Sequence, residues 1–162
     1  MNIFPTLARF NPWVNAHIYD AVATLSDADY RKDCAVFFGS VHHTLNHILV
    51  VDRLWFGRAQ GVRPDIQSLD QVLFDDFAAL RAERETEDQR IVDYVSSLRD
   101  DDIDEVVPFH TVDGAAGQMA RGLMLMSVFN HQTHHRGQVT AMLSSFGADY
   151  GDIDLPYFLR AV

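Results

Sequence analysis

The chain has 162 residues, 48% apolar and 22% charged, the make-up of one ordinary globular domain with room for a sizeable core. Thirteen Lys and Arg stand against 23 Asp and Glu, a formal charge of −10, which argues against nucleic-acid binding and against anionic membrane surfaces. There is no apolar run of membrane-spanning length and no signal-peptide pattern at the start, and the one cysteine, Cys34, allows no internal disulfide; a cytoplasmic protein is expected.

A first helix is expected over much of residues 5–25, where Leu7, Phe10, Val14, Ile18, Ala21 and Leu25 recur at helical spacing. Asn11-Pro12 is either an N-cap followed by proline at the first helical position or a kink in a helix begun near Pro5. Ser26-Asp27-Ala28-Asp29 reads as a cap and a short turn. Ser40 reads as the N-cap of a second helix with the stripe Val41, Leu45, Ile48, Leu49, Asp52 and Trp55, closed by Gly57 or Gly61. Ser68-Leu69-Asp70-Gln71 has the form of a capping box and predicts the start of a third helix carrying Val72, Leu73, Phe77, Leu80, Ile91, Tyr94, Val95 and Leu98. The stretch from Arg81 to Gln89 is almost wholly polar and predicts exposure on most sides. Residues 105–112 are β-rich and Asp113-Gly114 signals a turn, so a small extended excursion is expected. Gln118 to Phe146 reads as a long fourth helix with Gly147 as its cap, and the tail from Asp152 to Val162 is apolar enough to pack on the body. Four long helices with short connections predict an all-α chain, a four-helix bundle of one domain over residues 1–162.

The eight histidines are the most informative feature. His131 and His135 are four residues apart, one turn apart on one helix face, within the stripe Met124, Val128, His131, His135, Val139 and Met142. Two inward imidazoles need polar partners, and a divalent metal satisfies both lone pairs. His47, mid-way along the second helix between Leu45 and Ile48, is the best third ligand from a facing helix. Three protein ligands leave an open coordination position, the usual arrangement of a catalytic metal. Position 132 is Gln, so the HExxH motif of zincin peptidases and its built-in base are absent. His134 lies off the stripe. His42 and His43 are expected to be solvated or near the site mouth, His17 and His110 isolated, and Cys34 a buried small apolar residue. Gly137 is expected to allow close helix approach, and Arg136 to pair with an acidic residue, Asp52 being a candidate. Histidine ligands also predict metal affinity that falls below about pH 6.5.

The chain resembles the DinB family, four-helix bundle proteins of the DinB/YfiT-like superfamily. The resemblance rests on Asn11-Pro12-Trp13-Val14-Asn15, Phe37-Phe38-Gly39-Ser40, Thr44-Leu45-Asn46-His47-Ile48-Leu49, Asp52-Arg53-Leu54-Trp55 and Asp154-Leu155-Pro156-Tyr157-Phe158-Leu159-Arg160. Its most specific block is Phe129-Asn130-His131-Gln132-Thr133-His134-His135-Arg136-Gly137-Gln138. The resemblance implies a metal site on His47, His131 and His135, a divalent ion, most often nickel or zinc, and a homodimer. Some relatives in the superfamily are thiol transferases that use bacillithiol or mycothiol. The expected function is therefore a metal-dependent enzyme acting on a small molecule, foremost a thiol-dependent S-transferase using a low-molecular-weight thiol. The alternatives are a metal-dependent hydrolase and a non-catalytic metal-binding stress protein.

Overall fold

The computed structural model describes residues 2–162. Its helices are α1 (Phe4–Val22), α2 (Asp27–Arg31), α3 (Val41–Ala59), α4 (Phe77–Ser97), α5 (Arg121–Ser145) and α6 (Leu155–Ala161). Strands β1 (Val106–His110) and β2 (Ala116–Ala120) lie between α4 and α5. The long helices α1, α3, α4 and α5 form a four-helix bundle in which α3 packs mainly on α5 and α1 mainly on α4. Among the described residues no helix is long and apolar enough to cross a membrane.

Local chemistry sets most helix ends. Ser26 and Ser40 cap α2 and α3 by accepting from the backbone N–H of Asp29 and His43. α3 ends at Gly61 (φ +70°) and α5 at Gly147 (φ +73°), where only a left-handed residue lets the chain turn back. In both, the next N–H reaches into the last turn: Val62 donates to the Gly57 carbonyl at 2.8 Å and Ala148 to the Leu143 carbonyl at 3.0 Å. Pro12 lies inside α1, which begins near Pro5, so Asn11 is no cap. It is buried and its side chain serves the core.

Two helix starts and one exposure differ from expectation. The third helix, α4, begins at Phe77 with Asp76 as N-cap, and residues 62–76 form an irregular loop. Ser68 and Gln71 spend their side chains within that loop, on Asp70 and on the Gln67 N–H, so the capping-box residues close turns instead of a helix. The fourth helix, α5, begins at Arg121, because Ala116–Ala120 pairs antiparallel with β1 in a hairpin. The stretch 81–89 is not exposed on most sides: Arg84, Glu87 and Asp88 are buried.

That last difference reveals how the bundle is layered. One apolar cluster joins Ile18, Leu45, Leu49, Leu80, Val139 and Leu143, and a second joins Phe4, Phe56, Ile91, Leu125 and Phe129. Between them, every long helix contributes buried polar side chains: Asn11 and Asn15, Asp52, Arg84 and Asp88, Gln132 and Arg136. Arg84 donates to Asp52 and ion-pairs with Asp88 at 2.8 Å. Asn11 and Asn15 donate to Asp88 at 2.7 and 3.0 Å. Gln132 donates to Asp52 at 2.8 Å. Arg136 donates to the Asn11 amide oxygen at 2.7 Å, so its partner is Asn11 and not Asp52. Two carboxylates and two guanidinium groups balance in charge, which is how a layer this buried is tolerated.

Candidate metal centre

His47 on α3 and His131 and His135 on α5 sit at the level of this polar layer, on the seam where the two helices pack. One ring nitrogen of each lies within 4.8 Å of the others. The ring centroids are 4.9 Å apart for His47–His131, 4.6 Å for His47–His135 and 4.3 Å for His131–His135. His47 and His135 are buried and His131 is partly so.

Two of the rings have fixed tautomers. His47 Nδ1 lies 2.7 Å from the Leu69 carbonyl, which can only accept, so Nδ1 carries the proton and Nε2 a lone pair. His135 Nδ1 likewise donates to Gln138 Oε1 at 2.8 Å. His47 Nε2 and His131 Nε2 face each other at 2.9 Å, and His131 Nδ1 is buried without a protein partner among the described residues. Whichever nitrogen of neutral His131 holds the proton, one polar requirement stays unmet: two lone pairs face each other, or Nδ1 is orphaned. Burial depresses all three imidazoles. It takes His47 to about 4, although the Leu69 hydrogen bond pulls the other way. Burial, then His135 and His47, take His131 to about 3. Burial also lowers His135, against the pull of Gln138. Neutral imidazoles with converging lone pairs are what a divalent cation needs, so the residues fit such an ion.

The loop that replaces the expected start of the third helix holds His47 in place. The Asn46 amide oxygen accepts from the Leu73 and Phe74 N–H groups at 2.9 and 3.0 Å, and its nitrogen donates to the Phe74 carbonyl at 3.1 Å. This staple carries the loop across α3 and brings the Leu69 carbonyl to His47. On the other side the Phe38 ring stacks on His47, centroids 3.8 Å apart. Gln132, in the place of a zincin glutamate, is fully buried and turned toward Asp52, so no base from that position reaches the histidines.

A cleft of about 630 Å³ opens beside His47 and His131. Val51, Leu54, Trp55 and Arg58 of α3 form its floor, and the hairpin turn at Thr111–Asp113 closes the far end.

Residues 1–161 match the model of the DinB family. The chain belongs to the DinB family. It is 27% identical to "Protein DinB" of Bacillus subtilis (strain 168) over 155 residues, 90% of each chain. Its fold matches the crystal structure of a DinB-like protein from Bacillus cereus ATCC 10987 with a TM-score of 0.66, at 18% identity, covering 86% of this chain and 90% of that one.

Of the other histidines in this DinB-family chain, His134 and His43 lie as expected and His42 does not. His134 is exposed beside His135, off the cluster. His43 is exposed and pairs with Ser40. His42 is not solvated: it is buried, with Nδ1 3.0 Å from the Tyr30 hydroxyl. Cys34 is only half-buried, in the non-helical segment before α3. A Cβ at Gly137 would meet nothing within 4 Å, so that glycine allows no close approach. The tight glycine of α5 is Gly122, whose Cβ would lie 2.6 Å from Ile103 Cγ2. Sequence reasoning missed Asn46, Phe38, Gln138 and the Leu69 carbonyl. Asn46 adjoins His47 in sequence, between Leu45 and Ile48, and is buried; a lone amide in that run is the available signal.

Proposed function

We propose that this DinB-family chain holds one divalent ion, nickel or zinc, on His47, His131 and His135, and is a thiol-dependent S-transferase acting on a small molecule. The observation that supports this most is the pair of fixed tautomers: the Leu69 carbonyl and Gln138 aim two lone pairs into one space beside a cleft. Depressed basicity keeps these imidazoles neutral at pH 7, ready to bind. A divalent ion there would lower the pKa of a thiol from about 8.5 and supply a thiolate at neutral pH. In the reaction the thiol gives its proton to solvent, its sulfur bonds to the electrophile, and the electrophile's leaving group departs.

A thiol is favoured over water for a specific reason. Among the described residues the metal-binding cluster consists of three histidines and no carboxylate, and Gln132 points elsewhere. A thiol needs less help to lose its proton than water, whose pKa is about 15.7. The apolar walls at Val51, Leu54 and Trp55 would shield the nucleophile from water. The test is a side-by-side assay of thiol conjugation to an aryl halide and of ester hydrolysis, with metal-loaded protein. Thiol conjugation should exceed that of the apoprotein, H131A and H135A should lose most of the gain, and H134A should lose little. Hydrolysis that added thiol inhibits would select the hydrolase, and activity in neither assay would select metal sequestration.

A further inference from the structure

Arg58 lies eleven residues beyond His47 on α3, about three turns on and on the order of 16 Å along the axis. His47, Val51, Leu54, Trp55 and Arg58 share one face of the helix and line one continuous cleft. Arg58 is only 7% exposed. Its guanidinium packs 4.7 Å from the Trp55 ring and 5.0 Å from the Phe109 ring. Gly117, opposite Phe109 in the hairpin, leaves the room for that ring: a Cβ there would sit 2.7 Å from Phe109 Cζ. Among the described residues Arg58 forms no ion pair and no side-chain hydrogen bond, and its Nε is buried without a partner. Burial lowers its pKa and no carboxylate raises it back. The contrast with Arg84 is direct, since Asp88 and Asp52 outweigh burial there and hold the charge.

Aromatic faces alone do not account for this arrangement. They attract a cation, but an apolar side chain would fill the same gap without the desolvation penalty of a buried charge. The guanidinium packs in the corner of two adjoining rings, whose centroids are 5.5 Å apart, which leaves its terminal N–H donors to bond, and a pair of such donors matches a carboxylate. Among the described residues Arg58 is the one Lys or Arg in the cleft lining and Asp113 the one carboxylate, which accepts from the Thr111 hydroxyl and makes no ion pair with Arg58; that balance suits a single negative charge better than a dianion.

We propose that Arg58 binds a carboxylate of the small molecule on which the metal centre acts, with the reacting end of that molecule at the histidines and its carboxylate at the far end of the cleft. This rests on the metal-centre reading above, so the two are tested separately. Calorimetry on protein as purified and after chelation would compare octanoate with its neutral isostere octanamide. Octanoate should bind at least tenfold more tightly in both preparations. R58Q should lose that preference while keeping octanamide binding and metal content, and R58K, which keeps the charge but not the fork, should retain part of it. Thermal melts of both variants identify any loss of fold. In the metal-loaded protein, 11-mercaptoundecanoate should bind more tightly than 11-mercaptoundecanol, and R58Q should erase that difference as well.

Equal binding of octanoate and octanamide would overturn the assignment, as would a preference that survives in R58Q. Octyl phosphate binding tenfold more tightly than octanoate would overturn the choice of carboxylate. A preference dependent on Arg58 in a protein that takes up no metal would overturn the metal reading alone and leave the carboxylate site standing.

Discussion

At the scale of single residues, Asn46 is the test of how the histidines are held. It is not one of the three clustered histidines; it anchors the loop whose Leu69 carbonyl orients His47. N46A should therefore weaken metal binding by about 10–100-fold, the usual effect of losing a partner that orients a ligand. Competition titration against a chelator of known affinity checks this, with circular dichroism to confirm that the helices remain. The pH window of binding also moves from its sequence expectation. With His47 held at about 4 and His131 at about 3, protons compete for the lone pairs only well below the ordinary pKa of about 6.5. Metal affinity should begin to fall at a lower pH than ordinary imidazoles would give and fall steeply as the pH approaches 4. The same depression acts on stability without metal. Between the ordinary and the depressed values the unfolded chain binds more protons than the folded one, so the stabilising contribution is complete above about pH 6.5 and is lost as the pH falls toward 4. Asp52, which burial pushes up to about 6 against the pull of Arg84 and Gln132, works in the opposite direction, and its contribution is lost as pH rises through that value. Urea unfolding of wild type beside H47N/H131N/H135N across this range separates the two, because the histidine part disappears from the variant and the Asp52 part remains.

At the scale of elements, the polar layer sets how the helices face one another. Gln132 and Arg136 alternate along α5 with His131 and His135, so fixing the first pair toward Asp52 and Asn11 turns the second pair toward α3. R84M would leave Asp52 and Asp88 buried without their cation and should cost about 3–5 kcal/mol. The double variant D52N/R84M should cost less than the sum of the single changes, read from urea midpoints. Two glycines of α5 should respond in opposite ways. G137A, with open space around its Cβ, should stabilise by up to about 1 kcal/mol, whereas G122A must push Ile103 aside and should destabilise. Thermal melts of both suffice. These elements also show what the sequence discloses. The apolar stripes of α1, α3 and α5 obey helical periodicity and place the histidine seam correctly, because those faces meet other apolar faces. The buried side of α4 was illegible: Arg84, Glu87 and Asp88 have the composition of a solvated face, and only partners from other helices make them core. The start of α4 is hidden too, since Ser68 and Gln71 carry a cap's chemistry but bond within a loop that the Asn46 staple holds.

At the scale of the molecule, two copies are expected to associate. Leu123 and Met126 are exposed on α5, 61% and 46%, apolar groups on the outer side of the helix that carries two of the histidines. A homodimer joined there should show a dimer mass by light scattering at micromolar concentration, and L123K/M126K should shift it to the monomer. A monomeric wild type would contradict this. The central claim is that His47, His131 and His135 together hold one ion, and the most direct measurement is elemental analysis with calorimetric titration of wild type beside the H47A/H131A/H135A variant. About one nickel or zinc per wild-type chain is expected, and none retained by a folded triple variant. Equal metal binding by the two proteins would contradict it.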